Sequence, residues 1–318
     1  MEDIVVKENV FYNAKTKTFE DTVPVGVSFD IITEPVFVAH AIHPCFSHAI
    51  IDSCLPIFWV IDDLLKTGKI NNSDVRLFVQ ERHFDGRTSI FDSAKQSYIG
   101  AYNDIVTFLT QHPVYFQHLI STNYVFKTCI FYPHDDRWQR TPWNCVDHYH
   151  PARNVLKQNV RFSDDIIYEK LANFRNMVVT KSNVYINENQ NNLIIVDRAY
   201  NRKIEDNKLQ ALVQGAAKNT GWNFTGVYVL EGKSLQEQVK LFANNRIFIY
   251  RLGSCVANLL WIPENSVVFE LIGGKEGVVN YDNVSPRILK LTNSKRIVLH
   301  YDSYDCERDI FEKIKSYI

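Results

Sequence analysis

An α/β fold in two domains is what this sequence predicts, and three observations predict it. The chain has 318 residues, long for one core, and domains of about 150 residues are the natural expectation. The stretch Leu230–Leu271, LEGKSLQEQVKLFANNRIFIYRLGSCVANLLWIPENSVVFEL, reads as strand end, helix, strand, small-residue turn, helix, strand. That alternation is the signature of βαβ units. The continuous apolar run Leu193–Val196, and Val267–Leu271 with its one carboxylate at Glu270, suit strands buried on both faces, as in a parallel sheet.

Composition narrows the function classes. With 46% hydrophobic, 13% aromatic and 22% charged residues, the chain is a packed globular protein rather than a disordered one. Lys and Arg total 35 against 36 Asp and Glu, a net charge of −1. No polyanion-binding surface follows from that balance, so nucleic acid is not an expected partner. The cysteines (Cys45, Cys54, Cys129, Cys145, Cys255, Cys306) form no C-x-x-C pair. Reduced, mostly buried thiols are expected, with neither a zinc site nor a disulfide framework. No G-x-S-x-G elbow, Walker loop, H-E-x-x-H or G-x-G-x-x-G is present. The opening MEDIVVKENVFYN has no apolar run that would serve as a signal peptide or membrane anchor.

In chain order, Ile4–Val6, Val25–Phe29 and Pro35–His40 read as edge or meander strands. Residues 47–65 take helical spacing, with Pro56 marking a kink or a break. Val75–Val79 is a buried strand, Asp92–Gln111 a helix and Tyr124–Tyr132 another strand. Pro133–Pro151 is a loop rich in aromatic, His and Asp residues, and Ser163 caps a helix running to about Phe174. Apolar density falls over Asn176–Asn192, which places the domain boundary there: 1–176, then 177–304. The final segment, 305–318, reads as a helix that crosses back to the first domain. In the second domain Ser234 and Glu237 form a capping box, and Pro263 ends the helix that Gly253 opens.

Four groups of residues can carry chemistry. His48 and Asp52 stand four apart, so on a helix they share a face and the carboxylate can hold the imidazole. They read either as an ion pair or satisfied core histidine, or as a general base. Arg198 and Arg202 follow a buried strand and precede a helix, where open α/β sheets bind ligands. They are either surface arginines, Arg198 being free to pair with Asp197, or the clamp on a diphosphate. Gly253, Ser254 and Asn258 with the strand-end Glu270 form the third group. Backbone N–H groups and a hydroxyl there can hold phosphate oxygens, and the carboxylate can accept from ribose hydroxyls. The fourth is the loop with Asp135, Asp136 and Trp138, which suits acceptor-sugar binding through hydroxyl hydrogen bonds and ring stacking, or plain solvation, or a metal-bridged diphosphate.

These residues carry a resemblance. Glu231, Ser234, Glu237, Gln238 and Leu241, then Gly253, Asn258 and Pro263, then Val268 and Glu270 match the donor-sugar half of glycosyltransferase family 61. Arg198, Arg202, Ile204 and Leu209 match its R-x-x-x-R-x-I-x-N-x-x-L pattern, with Asp206 where Asn is usual. His48, Asp52 and Pro56 match a segment near its start. Leu252 departs from the pattern, since the family has His before the glycine. The resemblance implies a GT-B fold, two Rossmann-like domains facing across a cleft, and an inverting transfer from a UDP-sugar to a glycan hydroxyl. Asp52 or His48 is then the base; Arg198, Arg202, Gly253, Ser254, Asn258 and Glu270 hold the donor; and Asp135, Asp136 and Trp138 meet the acceptor. It implies no cofactor and no obligatory metal, because paired aspartates of the metal-using kind belong to a different architecture. Xylose comes first among donor sugars, since many relatives use pentoses, with arabinose or N-acetylglucosamine as options. Relatives with a secretory anchor make its absence here read as a cytoplasmic protein of bacterial or viral origin, or a piece cut from a longer chain. The competing implication is a catalytically inactive relative that binds a glycan or nucleotide, which Leu252 favours.

Overall fold

The computed structural model describes residues 5–41, 46, 50, 54–70, 75–81, 99–131, 164–197, 204, 207–251, 253–272, 284–300 and 306–317. It divides into two compact units, Met1–Val155 and Leu156–Ile318.

The first unit holds β1 (Val5–Asn13), β2 (Thr18–Glu20), β3 (Asp30–Ile32), β4 (Val36–Ala41), α1 (Leu55–Lys66), β5 (Arg76–Glu81), α2 (Ile99–Phe108), β6 (Tyr115–Phe116) and β7 (Tyr124–Phe131). They form one seven-stranded sheet in the order β2-β1-β7-β4-β5-β6, with β3 also on β7. Strand β1 runs antiparallel to β2 and β7, while β3, β4, β5 and β6 join by parallel pairing. Tyr12, Phe19, Phe78 and Phe126 interlock at ring-centroid distances of 4.7 to 6.1 Å in its core. Pro56 lies in the first turn of α1, where its missing N–H has no intrahelical partner to lose; it therefore starts a helix. The strand expected over Val25–Phe29 is not formed. Those residues run as an exposed turn and extended chain, Val25 fully so, and pairing begins only at Asp30. Pro24 and Gly26, the latter at φ 81°, interrupt the run before it can join a ladder.

The second unit holds α3 (Asp164–Lys181), β8 (Asn192–Asp197), α4 (Asn207–Thr220), β9 (Asn223–Val229), α5 (Leu235–Ala243), β10 (Ile247–Arg251), a 3₁₀ helix (Ser254–Trp261), β11 (Val267–Ile272), α6 (Val284–Leu291), β12 (Lys295–His300) and α7 (Cys306–Lys315). Its five strands are all parallel, in the order β12-β11-β10-β8-β9. Strand alternation divides the layers. Leu193, Ile195, Ile247, Ile249, Phe269 and Leu271 face Leu209, Val213 and Ala217 of α4 and Ile314 of α7. On the opposite face Phe248 stacks on Phe242 of α5 at 5.3 Å, and α5 and α6 pack on the 3₁₀ helix. The fold is thus α/β with two parallel-rich sheets, as the alternation of elements predicts.

Two boundaries differ from the sequence expectation. The units divide at Val155/Leu156 rather than near Asn176, because residue 176 lies inside α3. That helix buries Leu171, Phe174 and Val178, stacks Phe174 on Trp261 at 6.1 Å, and so belongs to the second unit. The last helix packs within the second unit: Ile314 is fully buried in that unit's core and Tyr317 meets Phe269 edge-on.

Candidate functional site

In chain order the strands of the second sheet lie second-first-third-fourth-fifth, so the order reverses between β8 and β10. The chain leaving β8 leads to α4 on one face, and the chain leaving β10 leads to the 3₁₀ helix on the other. At such a switch point two connections part company above the strands' carboxyl ends and leave a crevice that ligands occupy.

Both arms of the crevice are held by named contacts. Asp197, the buried last residue of β8, accepts the backbone N–H of Ile204 at 2.6 Å. Ile204 itself is buried in the core, so the chain is fixed at Asp197 and again at Ile204. Arg198 and Arg202, which fall between those two residues in sequence, lie outside the described residues, as do His48, Asp52, Asp135, Asp136 and Trp138. Beside this arm, Tyr250 pairs with Val196, which sets the next residue, Arg251, level with Asp197. Alternation turns Arg251 to the α4 side of the sheet, as it does Ile247 and Ile249. Sequence motifs do not single it out; its position ending a switch-point strand is the signal that finds it.

The second arm opens at Gly253, whose φ of 170° is ordinary extended backbone. Ser254 begins the 3₁₀ helix, and its side chain lies outside the description. Cys255 is half-buried, with Sγ 3.8 Å from the Arg251 carbonyl oxygen. The helix is pinned from two sides. Asn258 is fully buried; it donates to Gln238 Oε1 at 3.0 Å and accepts from Trp261 Nε1 at 3.2 Å, while Gln238 donates to the Lys233 carbonyl at 3.1 Å. At the far end Arg175 donates to the carbonyls of Leu260 and Ile262 at 2.9 and 2.8 Å, satisfying groups a helix end leaves open. Burial pulls the Arg175 guanidinium below its usual range, with Glu188 and Glu264 acting the other way. Sequence reading missed Arg175 because its partners are backbone atoms far along the chain. Upstream, the expected capping box is present: Glu237 N–H donates to Ser234 Oγ at 3.2 Å and Ser234 N–H to Glu237 Oε2 at 2.8 Å.

Two residues expected to touch the donor are committed to the protein instead. Asn258 is the staple just described. Glu270, fully buried, accepts from Tyr250 Oη at 3.0 Å, Ser285 Oγ at 2.9 Å, Arg296 Nε at 2.8 Å and, through its other oxygen, Arg296 Nη2 at 3.0 Å. Three of those bonds fall on one oxygen and one on the other, and with the side chain fully buried the carboxylate is turned to protein partners rather than to a ribose. Burial first, and the Glu270 carboxylate next, push the Tyr250 hydroxyl well up, so Tyr250 stays a donor. Periodicity gives the spacing of these residues but not which face of β11 meets a helix, and that face decides their role.

No described helix is long and apolar enough to cross a membrane. A search of the curated proteins finds no match. The family model Glycosyltransferase 61 matches residues 46–269, a span that runs from the approach to α1 through both arms of the switch point into β11. By that match the chain belongs to glycosyltransferase family 61 and is a glycosyltransferase.

Proposed function

We propose that this glycosyltransferase moves a sugar from a UDP-sugar to a glycan hydroxyl with inversion at the anomeric carbon, and that the nucleotide diphosphate sits at the β8/β10 switch point. What supports the reading is that β8 ends at Asp197, immediately before Arg198 in sequence, and β10 at Arg251, two residues before Gly253, and that these neighbouring strands are where the strand order reverses. Arg198, Arg202 and Arg251 bring positive charge to the departing diphosphate, and the backbone from Gly253 and Ser254 supplies N–H donors. Guanidinium charge does here what a metal ion does elsewhere, so the reaction requires no bound metal. Asp52, or His48 held by it, takes the acceptor hydroxyl's proton; such a base contributes about 10² to 10⁴ in rate. Asp135, Asp136 and Trp138 bind the acceptor glycan, and xylose is the first donor sugar to test.

Calorimetric titration with UDP and uridine, followed by donor turnover with UDP-xylose, UDP-arabinose and UDP-N-acetylglucosamine in EDTA, tests this reading. Micromolar UDP binding, much weaker uridine binding and turnover of one donor are expected. UDP binding with no turnover of any donor supports instead an inactive relative that binds nucleotide or glycan, the reading that Leu252 favours. Absence of UDP binding contradicts the transfer reading and leaves, of the alternative, only a glycan-binding relative. Asp52→Asn is expected to abolish transfer and keep UDP affinity; retained transfer removes Asp52 as the base.

A further inference from the structure

We propose that Glu270 is a positioning residue, whose carboxylate ties β10, β11, β12 and the start of α6 together and thereby fixes the chain that leaves β10 at Gly253. This rests on the reading that the donor diphosphate sits at the β8/β10 switch point. The carboxylate belongs to the fourth residue of β11 and reaches three other elements: Tyr250 on β10, Arg296 on β12 and Ser285 in the first turn of α6. Tyr250 stands three residues before Gly253, and its hydroxyl is held at 3.0 Å. Ser285 is fully buried, so the start of α6 is tied to the same oxygen.

Stability alone does not account for this cluster. An ion pair that buries a carboxylate loses hydration on folding, and well-packed apolar side chains of similar volume often do as well or better. What apolar side chains cannot do is hold a tyrosine hydroxyl and a serine hydroxyl to one point. The cluster lies one or two residues below the carboxyl edge of β10 and β11, on the face shared with the 3₁₀ helix. Its effect is therefore local to the connection after β10 and to the entry of α6. No substrate contact by Glu270 is needed, and its side chain is fully buried among its protein partners.

Two double variants separate positioning from a purely structural ion pair. Glu270→Gln with Arg296→Met removes both charges and keeps a carbonyl oxygen that can accept from Tyr250 and Ser285. Glu270→Met with Arg296→Met removes the charges and the acceptor. Native-state hydrogen exchange is read on the amides of residues 251–257 and 284–288, and UDP is titrated into each protein. Both variants are expected to unfold cooperatively. Exchange at those amides is expected to be about tenfold faster in the Met/Met variant than in the Gln/Met variant, and its UDP affinity about tenfold weaker. Equal exchange in the two variants overturns the proposal. Different exchange with equal UDP affinity confines the clamp to the fold and overturns its link to the donor. If the wild-type protein binds no UDP, the donor reading fails, and the exchange comparison still decides whether Glu270 fixes these segments.

Discussion

Arg175 brings a guanidinium into the second unit's interior and spends two of its N–H groups on the carbonyls of Leu260 and Ile262. Arginine stays charged through the physiological range, so Arg175→Met removes a charge-assisted cap and leaves two carbonyls without that partner. A loss of about 2 kcal/mol in unfolding free energy is expected, read by denaturant titration. Asn258 is similar in kind: Asn258→Ala orphans the Trp261 ring N–H and the Gln238 amide oxygen and is expected to cost about 2 kcal/mol. In the first unit Glu34 meets Arg76 at 2.6 Å, and the bond to Arg76 draws the Glu34 carboxyl down to about 2. Because the folded value lies below the ordinary carboxylate value of 4.5, this pair stabilises the fold above that value. Its contribution is lost as pH falls from about 4.5 toward 2. Glu34→Gln should therefore flatten the acid limb of a stability-against-pH curve, modestly, since both side chains are partly solvated. An unchanged acid limb would count against the pair. Cysteine reactivity sorts in the same way. Burial pushes Cys129 up to about 12 and Cys54 up as well, while Cys255 is half-buried beside the Gly253 turn. Of these three, Cys255 should react first with a thiol reagent, and UDP should slow it; peptide mapping reads both.

At the scale of elements, the 3₁₀ helix Ser254–Trp261 has most to gain from its neighbours, since 3₁₀ hydrogen bonding is poor and runs this long are uncommon. Trp261, fully buried against Phe174, is its anchor, and Trp261→Ala is expected to cost about 3 to 5 kcal/mol. Much of this region is legible in the sequence. The apolar runs of β8, β10 and β11 are unambiguous because parallel strands are buried on both faces, and Ser234 with Glu237 marks a helix start by local chemistry alone. What is not legible depends on tertiary partners. The fate of Asn258 and Glu270 turns on which side of the sheet carries the helix layer. The extent of α3 escapes because Arg175 and Asn176 interrupt the apolar run after Phe174, while the helix continues through Met177, buried Val178 and Val179 to Lys181. The return of α7 to its own unit is set by Ile314 meeting Phe269's neighbourhood, a long-range contact that no local pattern encodes. In the first unit, Val25, Val27 and Phe29 are β-formers by type, yet they are exposed beside Pro24 and Gly26.

At the scale of the whole molecule, each unit has its own sheet and core, and the switch point belongs entirely to the second. Residues matched by the family extend over both units, which agrees with a division of labour in which donor recognition is local to one sheet. On the proposed reading, topology defines the donor site: the chain leaves β8 and β10 for helices on opposite faces of one sheet. Hydrogen exchange measured with and without saturating UDP tests that claim most directly. Protection is predicted in peptides covering residues 197–206 and 251–258, the two arms of the switch point, with the edges at β9 and β12 unchanged. Protection confined to other segments, or none at saturation, contradicts it.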